Sequence, residues 1–285
     1  MLRYLLVLAV AVPVLFAADT SLKEGVGGLI RQRQWAEAEA MLDKVIAAEP
    51  RNAEAWSYLG QIHLERNEAE KSVDTMERAA ALDPKNSRYQ RMLGDAYGLS
   101  ALKAGLFSKL GWATKCKAAY DKAVELDPTS IHARLSLMEF CRQAPGFIGG
   151  GLPKAYEQAA EIKKLDSARG RQAYAGLYVS EKKYPEAFGL YEEVLRDHPG
   201  DDEALYEIGR LSATSGEHLD RGLAALEELL RHAGKANNAP ANTQIARILE
   251  RKGDKPGARK AYETALTGNP AFVPALEGLR KLNGT

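Results

Sequence analysis

Residues 56–60 read Trp-Ser-Tyr-Leu-Gly, and the stretch that follows them closes on Ala-Leu-Asp-Pro at residues 81–84. Pro50 and Pro84 lie 34 residues apart, and helix-favouring residues fill the interval. Proline stops one helix and biases the residue before it away from helical geometry. This spacing therefore predicts a pair of helices that ends at Pro84, where the next pair begins.

The same ending recurs along the chain. Its variants are Val45–Pro50, Ala79–Pro84, Ala123–Pro128, Ile162–Ser167, Val194–Pro199 and Ala265–Pro270. The first helix of each pair carries a residue, in most cases a small one, at the same position of the repeat. These residues are Val26, Gly60, Gly94, Met138, Ala175, Gly209 and Ala246. The second helix has another at Ala38, Ser72, Cys116, Ala155, Ala187, Gly222 or Ala258. Small residues are needed where two helix axes approach closely, so the pattern predicts seven stacked helix pairs.

This pattern resembles the tetratricopeptide repeat (TPR) family over nearly all residues after about 20. The resemblance implies an all-α, right-handed α-solenoid of about seven helix pairs with a C-terminal capping helix. We expect one solenoid over residues 19–285. The predicted repeats are 19–52, 53–86, 87–130, 131–167, 168–201, 202–238 and 239–272, and the cap is 273–285.

The N-terminus predicts export. Arg3 precedes an apolar run from Tyr4 to Phe16, and Ala17 and Ala18 offer small residues for cleavage, so residues 1–18 are interpreted as a signal peptide. An uncleaved segment would instead anchor the chain to a membrane. Without Arg3 the basic and acidic side chains balance, so no net field favours nucleic acid. We expect an exported protein, periplasmic or secreted.

Two intervals exceed the repeat length. Pro84 to Pro128 is 44 residues and Pro128 to Ser167 is 39. The extra residues lie within Leu99–Lys115 and Ala144–Leu152 and carry apolar side chains. Either the two insertions cover each other as a satellite cluster, or they form an exposed apolar edge that binds a partner. The candidate insertion-edge residues are Leu106, Phe107, Leu110, Trp112, Phe147 and Ile148.

A second candidate surface lies on the first helices. The TPR resemblance implies that side chains on one side of these helices face a concave surface that binds peptides. This set lacks the Lys and Asn with which some family members clamp a terminal carboxylate. Its arginines can bind carboxylates or carbonyl groups. The candidate concave-face residues are Arg91, Asp95, Glu139, Arg142, Gln172, Tyr206, Arg210 and Arg247.

We expect no catalytic site, metal or cofactor. The five histidines are scattered, and His63 falls in a core position, where packing or hydrogen bonding accounts for it. The Gly146–Gly151 run has the spacing of a phosphate loop, but Leu152 and Pro153 replace the Lys and Ser/Thr of that motif. A disulfide between Cys116 and Cys141 stays open because its formation depends on distance.

These observations predict a non-catalytic scaffold outside the cytoplasm. Its partner is expected to be a protein or peptide, bound on the concave face, at the insertion edge, or at both. Envelope assembly is one such role. The alternatives are a module that docks lipid or an apolar helix, and a regulatory subunit of an enzyme.

Overall fold

A computed structural model describes residues 18–232 and 237–284 of the chain. These residues form fifteen α-helices, one 3₁₀ turn and no strands. Two helices fall in each of the seven predicted repeats and a last helix falls in the cap, so the all-α repeat-solenoid fold is confirmed. The predicted signal peptide lies outside the described residues apart from Ala18.

The chain divides into two compact units, Met1–Gly151 and Leu152–Thr285. The first contains α1 (Ala18–Arg31), α2 (Trp35–Ala48), α3 (Ala53–Glu65), α4 (Ala69–Leu82), α5 (Ser87–Lys103), α6 (Leu106–Leu126), α7 (Ile131–Gln143) and the 3₁₀ turn Gly146–Ile148. The second contains α8 (Leu152–Leu165), α9 (Ser167–Ser180), α10 (Tyr184–Asp197), α11 (Asp202–Ser215), α12 (Leu219–Arg231), α13 (Ala239–Arg251), α14 (Lys255–Gly268) and α15 (Val273–Asn283). A single domain over residues 19–285 stays a prediction.

Side-chain caps define where the first helices begin. A side chain just before each of α3, α5, α7, α9, α11 and α13 accepts a hydrogen bond from a backbone N–H three residues later, at 2.8–3.3 Å. These caps are Asn52, Asn86, Ser130, Asp166, Asp201 and Asn238. A cap satisfies one of the N–H groups that a helix start leaves unpaired. The closing sequence of one repeat therefore also carries the start signal of the next.

The small residues of the repeat lie where paired helices touch. A Cβ on Gly60 would approach Met76 Sδ to 2.3 Å, and one on Gly94 would approach the Tyr120 ring to 2.5 Å. On Gly209 it would lie 2.2 Å from Leu226 Cγ. In each pair the large side chain of the second helix occupies the space that a Cβ would need. The sequence interpretation of these positions as points of close helix approach is correct.

Each unit has its own apolar core. In the first unit one cluster of buried residues joins α1, α2 and α3 through side chains such as Val26, Leu42 and Ile62. In the second unit a larger cluster extends from α9 to α15 and includes Tyr191 and Tyr262. The burial of these apolar side chains is the main source of stability for the helices.

The first insertion is helical and lengthens both α5 and α6. α5 has 17 residues and α6 has 21, whereas α3 and α4 have 13 and 14. The excess in α6 corresponds to about two helical turns, or roughly 10 Å. Only Ala104 and Gly105 separate the two helices. The insertion therefore lengthens a helix pair beyond the ordinary repeat.

The second insertion folds back on the end of α7. The backbone N–H of Gly150 donates to Pro145 O and that of Gly151 to Cys141 O, at 3.2 and 2.7 Å. Gly149 and Gly151 have φ of 84° and 111°, where side chains are strained, and a Cβ on Gly150 would lie 2.1 Å from Ala144 O. The glycine run is accounted for by this turn.

Two glycine substitutions in the second unit test the close helix approach. Gly209→Ala should destabilise the chain by about 1–3 kcal/mol, because the new methyl group must displace Leu226. Gly176→Ala, at an exposed helical position with no atom within 4 Å, should stabilise it by up to about 1 kcal/mol. Urea unfolding monitored by circular dichroism measures both. Equal effects would contradict the proposed role of Gly209.

Candidate functional site

A groove of about 670 Å³ opens in the first unit between α5, α6, α7 and the turn that follows α7. Its lining is mostly apolar. The lining residues are Asp95, Gly98, Leu99, Ala101, Leu102, Lys109, Ala113, Cys116, Tyr120, Leu135, Ser136, Glu139, Phe140, Gln143, Ala144, Pro145 and Ile148. This volume lies in the range of pockets that bind ligands or several apolar side chains.

The groove follows one face of α6. Lys109, Ala113, Cys116 and Tyr120 line it at intervals of three and four residues, the spacing of a single helical face. They span about 16 Å along the helix axis, or three turns. Leu102, on the extended end of α5, lines the same groove and is 73% exposed. The lengthened helix pair thus forms one wall of an elongated apolar surface.

A charged network lies at one end of the groove. Tyr120 donates its hydroxyl proton to Asp95 at 2.7 Å, and Arg91 pairs with the same carboxylate at 2.6 Å. Burial raises the pKa of the Asp95 carboxyl, although Arg91 and Tyr120 act in the opposite direction. Burial also raises the pKa of Tyr120, so its hydroxyl stays protonated. Arg91 therefore balances the negative charge of Asp95, and Tyr120 hydrogen-bonds to the same carboxylate.

Glu139 on α7 is also held by its own helix. Arg142 donates to it from Nε at 2.8 Å, and Gln143 donates to it as well. The Arg142 hydrogen bond holds the pKa of Glu139 below its usual range. These short-range pairs satisfy the carboxylate without a ligand. The groove therefore presents apolar surface, flanked by charges that already have partners.

The predicted insertion-edge residues separate in the structure. Ile148 is half-buried and lines the groove. Phe107, Leu110 and Phe147 are 99%, 49% and 82% exposed, so the insertions do not cover these three side chains. Trp112 packs on Tyr97 with ring centroids 5.8 Å apart and lines another depression instead. The side chain of Leu106 lies outside the described residues.

The predicted concave-face residues also fall into groups. Asp95 and Glu139 reach the groove, whereas Arg91 and Arg142 are their ion-pair partners. In the second unit, the four candidates on α9, α11 and α13 are Gln172, Tyr206, Arg210 and Arg247. Three of these four have polar partners there: Gln172 donates to Glu203, Arg210 pairs with Glu207 at 2.6 Å, and Arg247 donates to Gln244 at 3.5 Å. Peptide binding by this set stays a prediction.

The two cysteines are buried thiols without a disulfide between them. Cys116 lies in the groove lining, and burial raises the pKa of its thiol to about 12. A thiol in this environment is a poor nucleophile because the thiolate is the reactive form. We therefore assign Cys116 a packing role in the groove wall.

Sequence reasoning missed part of the groove. It did not identify Lys109, Ala113, Tyr120 or Phe140 as residues that line a groove. The 44-residue interval indicated an insertion. Its structure could be interpreted only with the knowledge that α5 continues to Lys103 and that α6 begins at Leu106. With that continuation, the spacing of Lys109, Ala113 and Cys116 places them on one face.

None of the helices formed by residues 18–232 and 237–284 combines the length and apolar content of a membrane span.

Comparisons with known proteins agree with this architecture. Family profiles described as tetratricopeptide repeat match residues 29–96, 92–130 and 215–272, which together make up more than half of the chain. The cellulose synthase operon protein C of Pseudomonas fluorescens (strain SBW25) is 30% identical over 130 residues. The match covers 42% of this chain and 10% of that relative, so the chain spans about a tenth of its length.

Two solved structures are similar in fold. A tetratricopeptide repeat protein from Parabacteroides merdae ATCC 43184 has a TM-score of 0.60 at 17% identity, over 93% of this chain and 98% of that chain. A thermophilic TPR protein of Thermus thermophilus has a TM-score of 0.53 at 17% identity, over 75% and 100% of the two chains. At this identity the likeness concerns the fold alone.

The half-buried Asp95 should make stability depend on pH. Below the ordinary aspartate pKa of about 3.9, Asp95 is protonated in both the folded and the unfolded chain. As the pH rises from there through the raised pKa, the unfolded chain ionises first and the folded chain loses stability. The stability of the native chain relative to Asp95→Asn, measured by urea unfolding, should therefore fall over this range. A stability difference between the native chain and Asp95→Asn that rises with pH over this range would contradict the prediction.

Proposed function

The chain belongs to the tetratricopeptide-repeat family, and we propose that it is a protein-interaction scaffold whose groove in the first unit binds the apolar face of a helical segment of a partner polypeptide. Members of this family generally bind proteins and are generally not catalysts. The observation that carries the proposal is the groove along α6. It is apolar, open, and bordered by exposed Leu102.

The dimensions of the groove favour a helix as its occupant. Its α6 wall extends about 16 Å, which matches three turns of a bound helix with apolar residues at every third or fourth position. A single small ligand would leave most of this length exposed to water. Phe107 and Leu110, on the first turns of α6 but outside the groove lining, are further exposed apolar side chains of this unit. Exposed apolar side chains in such number are typical of interaction surfaces.

The charges around the groove favour a polypeptide over an anionic lipid. The carboxylates of Asp95 and Glu139 line the groove, and Lys109 is the one cationic side chain in its lining. A phosphate headgroup would meet these carboxylates, whereas a peptide can present amide donors or a cation to them. Since both carboxylates already have partners on their own helices, apolar contact supplies the affinity and the charges limit the choice of partner.

We place this activity outside the cytoplasm, on the evidence of Arg3, the apolar run that follows it and Ala17–Ala18. The relative in the cellulose synthase operon matches over too small a part of its length to transfer its role.

Filling the groove should weaken peptide binding. A phage-displayed library of random peptides is selected on the full chain alone, and the selected peptides are then measured on Ala113→Phe, whose ring would occupy the groove. We expect selected peptides with apolar residues at helical spacing. Their affinity, measured by fluorescence anisotropy, should fall at least about 10-fold in Ala113→Phe, a loss of roughly 1.4 kcal/mol. Ala118→Phe, at an exposed position of α6 outside the groove, is the matched control and should bind normally.

Three outcomes would contradict the groove as the peptide site. Peptides that bind Ala113→Phe as well as the native chain would place binding elsewhere, and a library that yields no binders would oppose peptide recognition. Binding of zwitterionic lipid vesicles that is lost in Ala113→Phe, without peptide binding, would favour lipid as the occupant. Circular dichroism of both variants establishes that they fold.

Export predicts a shortened mature chain. When the full-length protein is produced in its natural host, intact-mass measurement should show the loss of residues 1–18. The protein should be recovered from the periplasm or the medium. A full-length mass in the cytoplasmic fraction would contradict export, and a full-length mass in the membrane fraction would favour the uncleaved anchor.

A further inference from the structure

A second feature of the first unit lies away from the groove, at the turn between α3 and α4. Three potential metal ligands from three elements meet there: Glu39 on α2, His63 near the end of α3, and Glu68 immediately before α4. Their ligand atoms all lie within 4.8 Å of one another. From this cluster we infer that the chain has a binding site for a divalent transition-metal ion, of which Zn²⁺ is the best fit.

Backbone geometry holds the three residues together. Asn67 has φ of 61°, a left-handed conformation that asparagine tolerates, and the backbone N–H of Glu68 donates to His63 O at 2.8 Å. This tight turn places the Glu68 carboxylate beside the His63 imidazole, within hydrogen-bonding distance of Nδ1. Glu39 reaches the same point from the neighbouring helix. The ligand set is thus positioned by the fold and not by a single flexible loop.

The distances suit a small metal ion. His63 Nδ1 lies 2.9 Å from Glu68 Oε2 and 3.9 Å from Glu39 Oε1. Ligands at about 2.0–2.2 Å around tetrahedral zinc lie roughly 3.4 Å from one another. The two distances to His63 Nδ1 therefore need to change by about 0.5 Å each, and the distance between the two carboxylates by at most about 1.4 Å. Two carboxylates and one imidazole form a three-ligand set that leaves the fourth position to water. An imidazole ligand favours zinc over magnesium or calcium, which prefer oxygen.

The imidazole must change tautomer for this to occur. In the metal-free cluster its Nδ1 lies in hydrogen-bonding distance of Glu68, so Nδ1 carries the proton that it donates to the carboxylate. Metal binding needs the lone pair of Nδ1. The tautomer that binds a metal through Nδ1 carries its proton on Nε2.

Arg66 supplies the positive charge in the absence of metal. Its guanidinium contacts Glu39 Oε1 and Glu68 Oε1, each at 2.8 Å, and Lys71 lies 3.4 Å from Glu68. The Arg66 side chain is 36% exposed at the end of α3, so it can turn into solvent when a divalent ion enters. His63, in contrast, is 8% exposed and stays in place. Arg66 is therefore a competitor of the metal, and its removal should strengthen binding.

Zinc binding to the full chain tests the inference. Isothermal titration with zinc chloride should give one ion per chain, and cobalt substitution should give the intense visible absorption of a tetrahedral site. His63→Ala and Glu68→Gln should weaken binding by more than the roughly 10- to 100-fold that loss of an outer-shell partner costs. Arg66→Gln should strengthen it. His198→Ala, at an exposed histidine in the second unit, is the control and should bind as the native chain does.

The opposite results would overturn the site. Absence of zinc binding, or binding that is unchanged in both His63→Ala and Glu68→Gln, would assign the cluster to hydrogen bonding alone. Weaker binding in Arg66→Gln would contradict the competition. Thermal unfolding of each metal-free variant establishes that it folds, and zinc should raise the unfolding temperature of the native chain but not that of His63→Ala. Because peptide binding in the groove uses different residues, the outcome is independent of the proposed function.

Discussion

The close approach of paired helices at a glycine of the first helix is the constraint on which the rest of the structure depends. Gly60, Gly94 and Gly209 leave no room for a Cβ against Met76, Tyr120 and Leu226. This contact determines how the helices of a pair lie against each other. It does not depend on the length of the helices beyond it. A pair can therefore be lengthened without changing the repeat. α5 and α6 use that freedom, and the groove is the result.

The carboxylates that line the groove are paired with arginines on their own helices. Arg91 pairs with Asp95 and Arg142 with Glu139, so the candidate concave-face arginines meet their own carboxylates before any ligand. Pairs of this kind at the surface contribute little stability, typically below about 1 kcal/mol. Their effect is to remove unpaired charge from a surface whose remaining character is apolar. At the α3–α4 turn, Arg66 likewise pairs with two carboxylates, those of Glu39 and Glu68.

The fold could be predicted because its signals repeat. Pro50 and Pro84, the capping residues Asn52 and Asn86, and the small residues of each pair all mark the same 34-residue unit, so every repeat supports the others. The groove could be predicted only in part. Excess length between Pro84 and Pro128 was visible, but the residues from Leu99 to Lys115 carry no cap or proline that distinguishes a longer helix from a loop. The cluster of Glu39, His63 and Glu68 was missed because packing of α2 against α3 joins residues that no sequence spacing connects.

The short connection between α5 and α6 has a consequence for how binding can be detected. Ala104 and Gly105 join two helix ends that project beyond the rest of the pair, and Lys103, Gly105 and Phe107 are exposed around them. Backbone amides at such ends are protected only by local helical hydrogen bonds, so they open and exchange with solvent deuterium faster than those near Gly94. A partner helix lying along α6 would slow exchange selectively on this side of the pair. Hydrogen exchange of these amides can therefore show whether a partner occupies the groove, without a label on either molecule.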